Sequence, residues 1–216
     1  GRKQPVVDVV LDPDLARILR PHQIEGVKFM YEAVTGISSL EQGHTTPGQG
    51  AILADEMGLG KTLQTIALIA TLLRQNCYFS NIRPGTVEKV LIVCPLTLVV
   101  NWKREFRKWI GRSSIGVLAV EGDGRKEVER FVSHRQYQVL ILGYERLRNC
   151  VQELSRAMPG VGLVVCDEGH RLKSKDTKTT KCFDLLPTRR RILLTGTPIQ
   201  NDLREFYTMV DFVYPG

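Results

Sequence analysis

Three short stretches hold residue types that do chemistry on phosphates. The first is Ile52 to Thr65, "ILADEMGLGKTLQT", in which Gly58 and Gly60 flank Leu59 immediately before Lys61 and Thr62. Glycine lets backbone N–H groups converge on an anion where a side chain would block the approach. Lys61 can reach the β- and γ-phosphates of a nucleotide, and the Thr62 hydroxyl can hold Mg²⁺. In the usual phosphate-loop pattern another glycine falls at position 55, and that residue is Asp55. The plainer alternative is a glycine turn with an incidental lysine. The flanks favour the loop: Ala51 to Ala54 reads as a short buried strand, and Leu63, Ile66, Ala67, Ile69, Ala70 and Leu73 follow at near-helical spacing. A helix there would turn its positive end toward the anion.

The second stretch is "LVVCDEGH", in which Asp167 and Glu168 end an apolar run. The carboxyl ends of parallel strands are where open α/β sheets bind ligands. One acid can hold the Mg²⁺ of a nucleotide, and its neighbour can take a proton from an attacking water. The competing reading is a solvated acidic turn. The third stretch, "LLTGTPIQN", places Thr195, Thr197, Gln200 and Asn201 just after another apolar run. These are hydrogen-bonding groups at the same edge, although by themselves they equally describe a strand exit with a proline turn.

These residues need a sheet to hold them. Further apolar runs cover Lys89 to Pro95, Ile115 to Val120, Tyr137 to Tyr144, Gly162 to Glu168 and Arg190 to Thr197. Their continuous apolar character predicts parallel strands covered on both faces. Alternation with amphipathic stretches predicts a doubly wound α/β fold. Leu96 to Ile110 reads as a helix with Val99, Trp102, Phe106 and Trp109 on one stripe. Pro21 suits the first turn of a helix, with Ile24, Val27, Met30 and Val34 facing inward. Residues 5 to 19 read as partly extended and then briefly helical. Thr35 to Gly50 and Asn76 to Glu88 read as polar loops. Arg189, Arg190 and Arg191 read as a solvated basic face, as do Lys103, Arg104, Arg107 and Lys108.

The chain has 216 residues, enough for one large α/β domain with a substantial core. A membrane span is not expected, because no apolar run approaches ~18 residues. The net charge of +7 suits a polyanionic partner. Five scattered cysteines without a C-x-x-C pair read as reduced core thiols, not as zinc ligands or disulfides. A start at Gly1 without a signal-peptide pattern reads as a cut or engineered start.

The motifs "LRPHQIEGVKF", "ILADEMGLGKT", "VCPLTLVVNW", "DEGHRLK" and "LLTGTPIQND" occur in the order seen in superfamily-two helicases of the Swi/Snf group, and the chain resembles that group from Val6 to Tyr214. The resemblance implies a RecA-like P-loop lobe, ATP and Mg²⁺ as nucleotide and metal, and translocation on double-stranded DNA. "DEMGLGKT" is that group's normal form of the loop, so Asp55 counts as a family variant. By matching positions, the resemblance makes Gln23 the adenine-reading glutamine. Asp55, Gly58, Leu59, Gly60, Lys61, Thr62 and Gln200 fall in the ATP site, with Thr62 and Asp167 on the Mg²⁺ and Glu168 activating water. His170, Thr195, Gly196 and Thr197 become coupling residues, and Thr97 and Tyr144 contacts to DNA. Taken alone, Gln23 could be a surface polar residue and Thr97 a helix N-cap.

"VVDVVLDPDLARILRPHQIEGVKFM" and "DEGH" resemble most the eukaryotic translocases of homologous recombination and DNA repair, which act in the nucleus with a RecA-like recombinase filament. Chromatin remodellers of the group, whose partner is the nucleosome, are the alternative. A module that holds nucleotide without turnover is another. The expected organisation is a lead-in segment over residues 1–20 and a first motor lobe over 21–216. The group's second lobe, with its arginines, is expected to lie outside this sequence, so that the isolated lobe is nearly inactive as an ATPase.

Overall fold

In the computed structural model, which describes residues 6–37, 48–56, 58–78, 85–111, 113–169, 178–196 and 203–215, each of the six apolar runs forms a strand. They are β1 (Ala51–Leu53), β2 (Lys89–Cys94), β3 (Gly116–Ala119), β4 (Tyr137–Gly143), β5 (Val161–Asp167) and β6 (Arg191–Leu194). They pair in the order β1-β6-β5-β2-β4-β3, and every pairing is parallel. All six residues of β2 are buried. Successive side chains of a strand point to opposite faces. Val90, Ile92 and Cys94 therefore enter one core, and Leu91 and Val93 the other.

Helices cover both faces, as a parallel sheet requires. On one side lie α2 (Pro21–Thr35), α3 (Lys61–Arg74) and α4 (Val99–Ile110); on the other lie α5 (Arg125–Ser133), α6 (Tyr144–Leu154), α7 (Lys178–Phe183) and α8 (Leu203–Val213). A short α1 (Pro13–Ala16) follows the bridge between Val6 and Tyr78, matching the expected extended and then briefly helical lead-in. Helix α3 is the best packed, with Leu63 through Leu73 all buried. A fully buried Leu or Ile contributes about 1.5–3 kcal/mol, so this core firmly anchors the helix that leads out of the phosphate loop. All five cysteines are buried thiols. No helix among the described residues is long and apolar enough to cross a membrane.

Four local expectations are corrected. In α2 the buried residues are Gln23, Val27, Met30, Val34 and Thr35, while Ile24 is exposed. Positions 23, 27, 30 and 34 form one helical stripe, and the polar residue on it turns inward for the reason given below. The Leu96 to Ile110 helix is two elements. After Pro95 comes a 3-10 turn over Leu96–Leu98, and α4 begins at Val99. The inner stripe of α4 ends on Ile110, leaving Trp109 half-buried with its Nε1 donating to Glu105 at 2.7 Å. Two of the three consecutive arginines are not solvated. Arg190 donates from Nε to the Val34 carbonyl at 2.8 Å, and Arg191 is buried, donating to Phe183 O at 2.9 Å. Finally, Tyr144 belongs to the first turn of α6 and not to the preceding strand.

Candidate nucleotide site and the adjoining groove

Strand register brings the chemistry to one edge. Leu53 and Asp167 both pair with Leu194, and Cys94 pairs with Gly143. Val93 pairs with Cys166, so Cys94 is level with Asp167. The phosphate loop, the acid pair, the chain after β6 and the turns after β2 and β4 therefore leave the sheet in one row. Thr195 extends the ladder, its N–H donating to Leu53 O at 3.1 Å.

The phosphate loop is tied down from three sides. Lys61 donates from Nζ to the carbonyls of Asp55 at 2.6 Å and Glu56 at 3.0 Å. Gln23 donates from Nε2 to Leu59 O at 3.0 Å, while its Oε1 accepts the Arg20 N–H at 2.9 Å. It is buried because it bridges the start of its own helix to the loop; the reading of Gln23 as a surface residue fails. Gln64 lies fully buried in α3 and donates to Asp55 Oδ2 at 3.3 Å.

Gly58 and Gly60 serve different needs. Both have positive φ, +88° and +81°, where an L side chain is strained. A Cβ at Gly60 would stand 2.2 Å from Gln23 Nε2, whereas one at Gly58 would meet none of the described residues within 4 Å. Gly60 makes room for the glutamine, and the space beside Gly58 is open. Asp55 sits where the common pattern has glycine, yet the one non-glycine residue with positive φ among those described is Glu168. Position 55 thus needs no glycine, and its carboxylate accepts from Gln64 instead. Gly60 caps α3 without any side-chain hydrogen bond to the first turn. Helix N-termini with first-turn N–H groups uncapped by a side chain are the kind that anion sites use.

Asp167 is held at three atoms. Trp102 Nε1 donates to Oδ2 at 2.8 Å, the Glu168 N–H donates to Oδ1 at 2.9 Å, and the Tyr144 hydroxyl donates to the main-chain carbonyl at 2.6 Å. Burial pushes the Asp167 carboxyl above the usual carboxylate range, opposed by the Trp102 and Glu168 hydrogen bonds and by the positive charge of Lys61. Both oxygens keep lone pairs for a hard cation. One carboxylate and the Thr62 hydroxyl are oxygen donors of the kind Mg²⁺ takes alongside nucleotide phosphates, so the residues fit that metal.

An open groove of about 410 Å³ lies along the same edge, lined among others by Pro95, Leu96, Gly143, Tyr144, Arg146 and Asn149. Thr97 is exposed beside it in the 3-10 turn, and no side chain caps either that turn or α4. The reading of Thr97 as an N-cap is thereby removed. Tyr144 is only 8% exposed. The residue borders the groove while its hydroxyl reaches back to Asp167.

The structure brings together Gln23, Asp55, Gly58, Leu59, Gly60, Lys61 and Thr62 in the loop region, Asp167 at the end of β5 with Glu168 just after it, and Thr195 and Gly196 after β6. His170, Thr197 and Gln200 lie outside the described residues. Two partners escaped the sequence reading. Trp102 looked like pure core, and Gln64 was hidden in an apolar helix. A glutamine inside an otherwise apolar run was the available signal for the second; nothing in the sequence singles out the indole N–H of the first.

An all-parallel six-stranded sheet with a phosphate loop on one strand end and an acid pair level with it defines a RecA-like nucleotide-binding domain. The sequence profile of the SNF2-related domain matches residues 22–216, and the chain belongs to that family. It is 50% identical to the chicken (Gallus gallus) DNA repair and recombination protein RAD54B, covering 98% of this chain and 22% of the relative. It is 44% identical to the DNA repair and recombination protein RDH54 of Saccharomyces cerevisiae (strain ATCC 204508 / S288c), covering 97% and 25%. It is 46% identical to the DNA repair protein rhp54 of Schizosaccharomyces pombe, covering 97% and 24%. The Sulfolobus solfataricus SWI2/SNF2 ATPase core, solved in complex with dsDNA, superposes with a TM-score of 0.69 at 29% identity, over 99% of this chain and 38% of that one. The chain thus spans about a quarter of the length of these curated relatives.

Proposed function

We propose that this domain is the first motor lobe of an ATP-dependent translocase on double-stranded DNA that acts in homologous recombination and repair in the nucleus. The observation that carries the reading is the level register of Leu53, Leu194 and Asp167. It sets the Lys61 loop beside the acid pair, close enough for the Lys61 charge to act on Asp167. In this reading Lys61 leaves the carbonyls of Asp55 and Glu56 for the β- and γ-phosphate oxygens, replacing one set of acceptors with a more charged one. The first-turn N–H groups of α3 complete the cradle. Mg²⁺ would be held by Thr62 and Asp167, where it would draw charge from the phosphates. Glu168 takes the proton of the attacking water. Gln23, seated against Gly60, meets the adenine end of the nucleotide. Gln200 completes the ATP site, and His170, Thr195, Gly196 and Thr197 couple it to DNA and to a second lobe. The lobe is taken to span residues 21–216, with 1–20 as its lead-in.

Duplex DNA is assigned to the groove half of the edge, with Thr97 and the start of α6 facing the backbone. A phosphate-directed surface suits the net charge of +7. All three curated relatives are named as repair or recombination proteins. That favours a recombinase filament as the protein partner over the nucleosome.

The test is ATP hydrolysis by the complete gene product with and without saturating duplex. Stimulation by duplex is expected, and Lys61→Ala should remove on the order of 10²–10³ of the turnover, as for other single groups that meet transition-state charge. Near-normal stimulated turnover in that variant overturns the site. The isolated 216-residue chain should hydrolyse ATP poorly under both conditions, because an arginine supplied across the cleft of such motors is worth about 10³–10⁵ in rate.

A further inference from the structure

Three hydrogen bonds converge on one peptide link. The carbonyl of the Asp167–Glu168 peptide accepts from the Tyr144 hydroxyl at 2.6 Å, and its N–H donates to Asp167 Oδ1 at 2.9 Å. Both ends of the same peptide plane are therefore pinned. Asp167 itself is anchored through Oδ2 by Trp102, which is 1% exposed and packed between α4 and the sheet. Immediately after the pinned plane, Glu168 has φ +54°. A non-glycine residue stays in that conformation only when its surroundings impose it. Glutamate has an ordinary alternative with negative φ, reached by rotating this peptide. A second, less strained arrangement is therefore open to the link, the property that an element coupling two sites needs.

Tyr144 is also a wall of the groove. It opens α6 directly after Gly143, alongside Arg146 and Asn149. Its ring is buried against the second core, so a shift of the α6 start moves the hydroxyl with the ring. A polynucleotide backbone seated in the groove would meet the same turn that holds the 167–168 carbonyl.

We propose that Tyr144 is a positioning residue that makes hydrolysis answer to duplex. Its hydroxyl holds the 167–168 peptide in the strained arrangement, and duplex engaging the start of α6 releases it, letting Glu168 swing to the water. The proposal rests on the functional reading above and adds to it the switching element and the group that sets it.

The experiment uses the complete gene product carrying Tyr144→Phe. Turnover is measured at zero and at saturating duplex, beside nucleotide affinity, duplex affinity and melting temperature. The duplex-free kcat should rise and the stimulation ratio fall by about fivefold, the size of a modest coupling between sites. A ratio equal to wild type, or a parallel fall of both rates, overturns the proposal by reducing Tyr144 to a structural contact. A wild-type protein that is not stimulated by duplex, or a Lys61→Ala variant that hydrolyses ATP normally, would sink the functional reading itself, which separates the two failures. Should the variant not fold, hydrogen exchange on the wild type tests the same point without nucleotide. Amides of the segment ending at Glu168 should lose protection when duplex is added, and unchanged protection overturns the proposal.

Discussion

The two halves of the strands' carboxyl edge are built in opposite ways. Over β1, β6 and β5 the polar groups bond to one another: Lys61 to Asp55 O and Glu56 O, Gln23 to Leu59 O, Gln64 to Asp55, Trp102 to Asp167. Over β2, β4 and β3 the edge is open to solvent, although Arg146 there donates to Gly122 O and lies 3.5 Å from Asp123. Thr97 is exposed, Leu96 is 69% exposed, and the groove is open. The difference matches the two tasks proposed. Stabilising a phosphoryl transition state needs donors fixed in advance, because reorganising them during the reaction costs rate. Gripping a duplex by its phosphates needs charge and access but little geometry, since phosphate contacts position a protein without reading sequence. Tyr144 stands at the seam between the halves.

The comparison breaks most visibly at Glu168. Glu168→Gln keeps the shape but cannot take a proton, so duplex-stimulated turnover should fall by about 10²–10⁴ while nucleotide still binds. Equilibrium binding of a labelled nucleotide beside steady-state hydrolysis decides this. A loss of affinity with unchanged turnover per bound nucleotide would remove Glu168 as the base.

Next in size is the loop itself. Gly60→Ala faces both a φ of +81° and Gln23 Nε2 at 2.2 Å, whereas Gly58→Ala faces only its φ of +88°. Each left-handed residue costs about 1–2 kcal/mol. Gly60→Ala should cost more in a thermal melt, because the Gln23 latch is lost as well. Gly58→Ala should act chiefly on nucleotide affinity, because its methyl enters the open space beside the loop proposed to cradle the phosphates. Equal melting temperatures for the two variants would show that Gln23 yields freely and does not brace the loop.

On the groove side the effects should be smaller. Arg146 donates to Gly122 O at 2.7 Å and lies 3.5 Å from Asp123, which leaves it poised at the groove wall. Arg146→Ala should weaken duplex binding and lower the slope of log K against log salt by about 0.9, the share of one phosphate contact. Nucleotide affinity should not move. An unchanged salt slope would take Arg146 out of the interface.

The smallest effect is a pH dependence at the join. Burial raises Asp167 above its unfolded value, so the folded protein binds the extra proton. The resulting stabilisation is fully present below the unfolded pKa of about 3.9 and is lost as pH rises through the raised folded value. Metal binding runs the other way and is gained over the same window, since the cation needs the carboxylate. Melting temperatures with and without Mg²⁺-nucleotide, taken across the acidic range, should diverge as pH rises. Parallel curves would show that Asp167 does not hold the metal.

Much of this was legible in the chain itself. Continuous apolar runs such as Val90 to Cys94 and Val161 to Cys166 can be satisfied only between two layers, so the parallel sheet and its helices follow from hydrophobic content alone. Gly58, Gly60, Lys61 and Thr62 are adjacent in sequence because a phosphate loop is a local structure, and the Asp167–Glu168 pair is local for the same reason. Strand ends were less sharp. An aromatic suits either a strand end or the first turn of a helix, so the residue type alone does not show that Tyr144 opens α6 after Gly143. What no local pattern reveals is a bond across the sheet. Gln23 meets Leu59, Trp102 meets Asp167 and Tyr144 meets the 167–168 peptide only because register and helix packing bring distant segments level. A buried donor must find an acceptor wherever the fold supplies one. The residue types fixed what chemistry was available, and the packing of α2, α4 and α6 against the sheet decided which groups hold it in place.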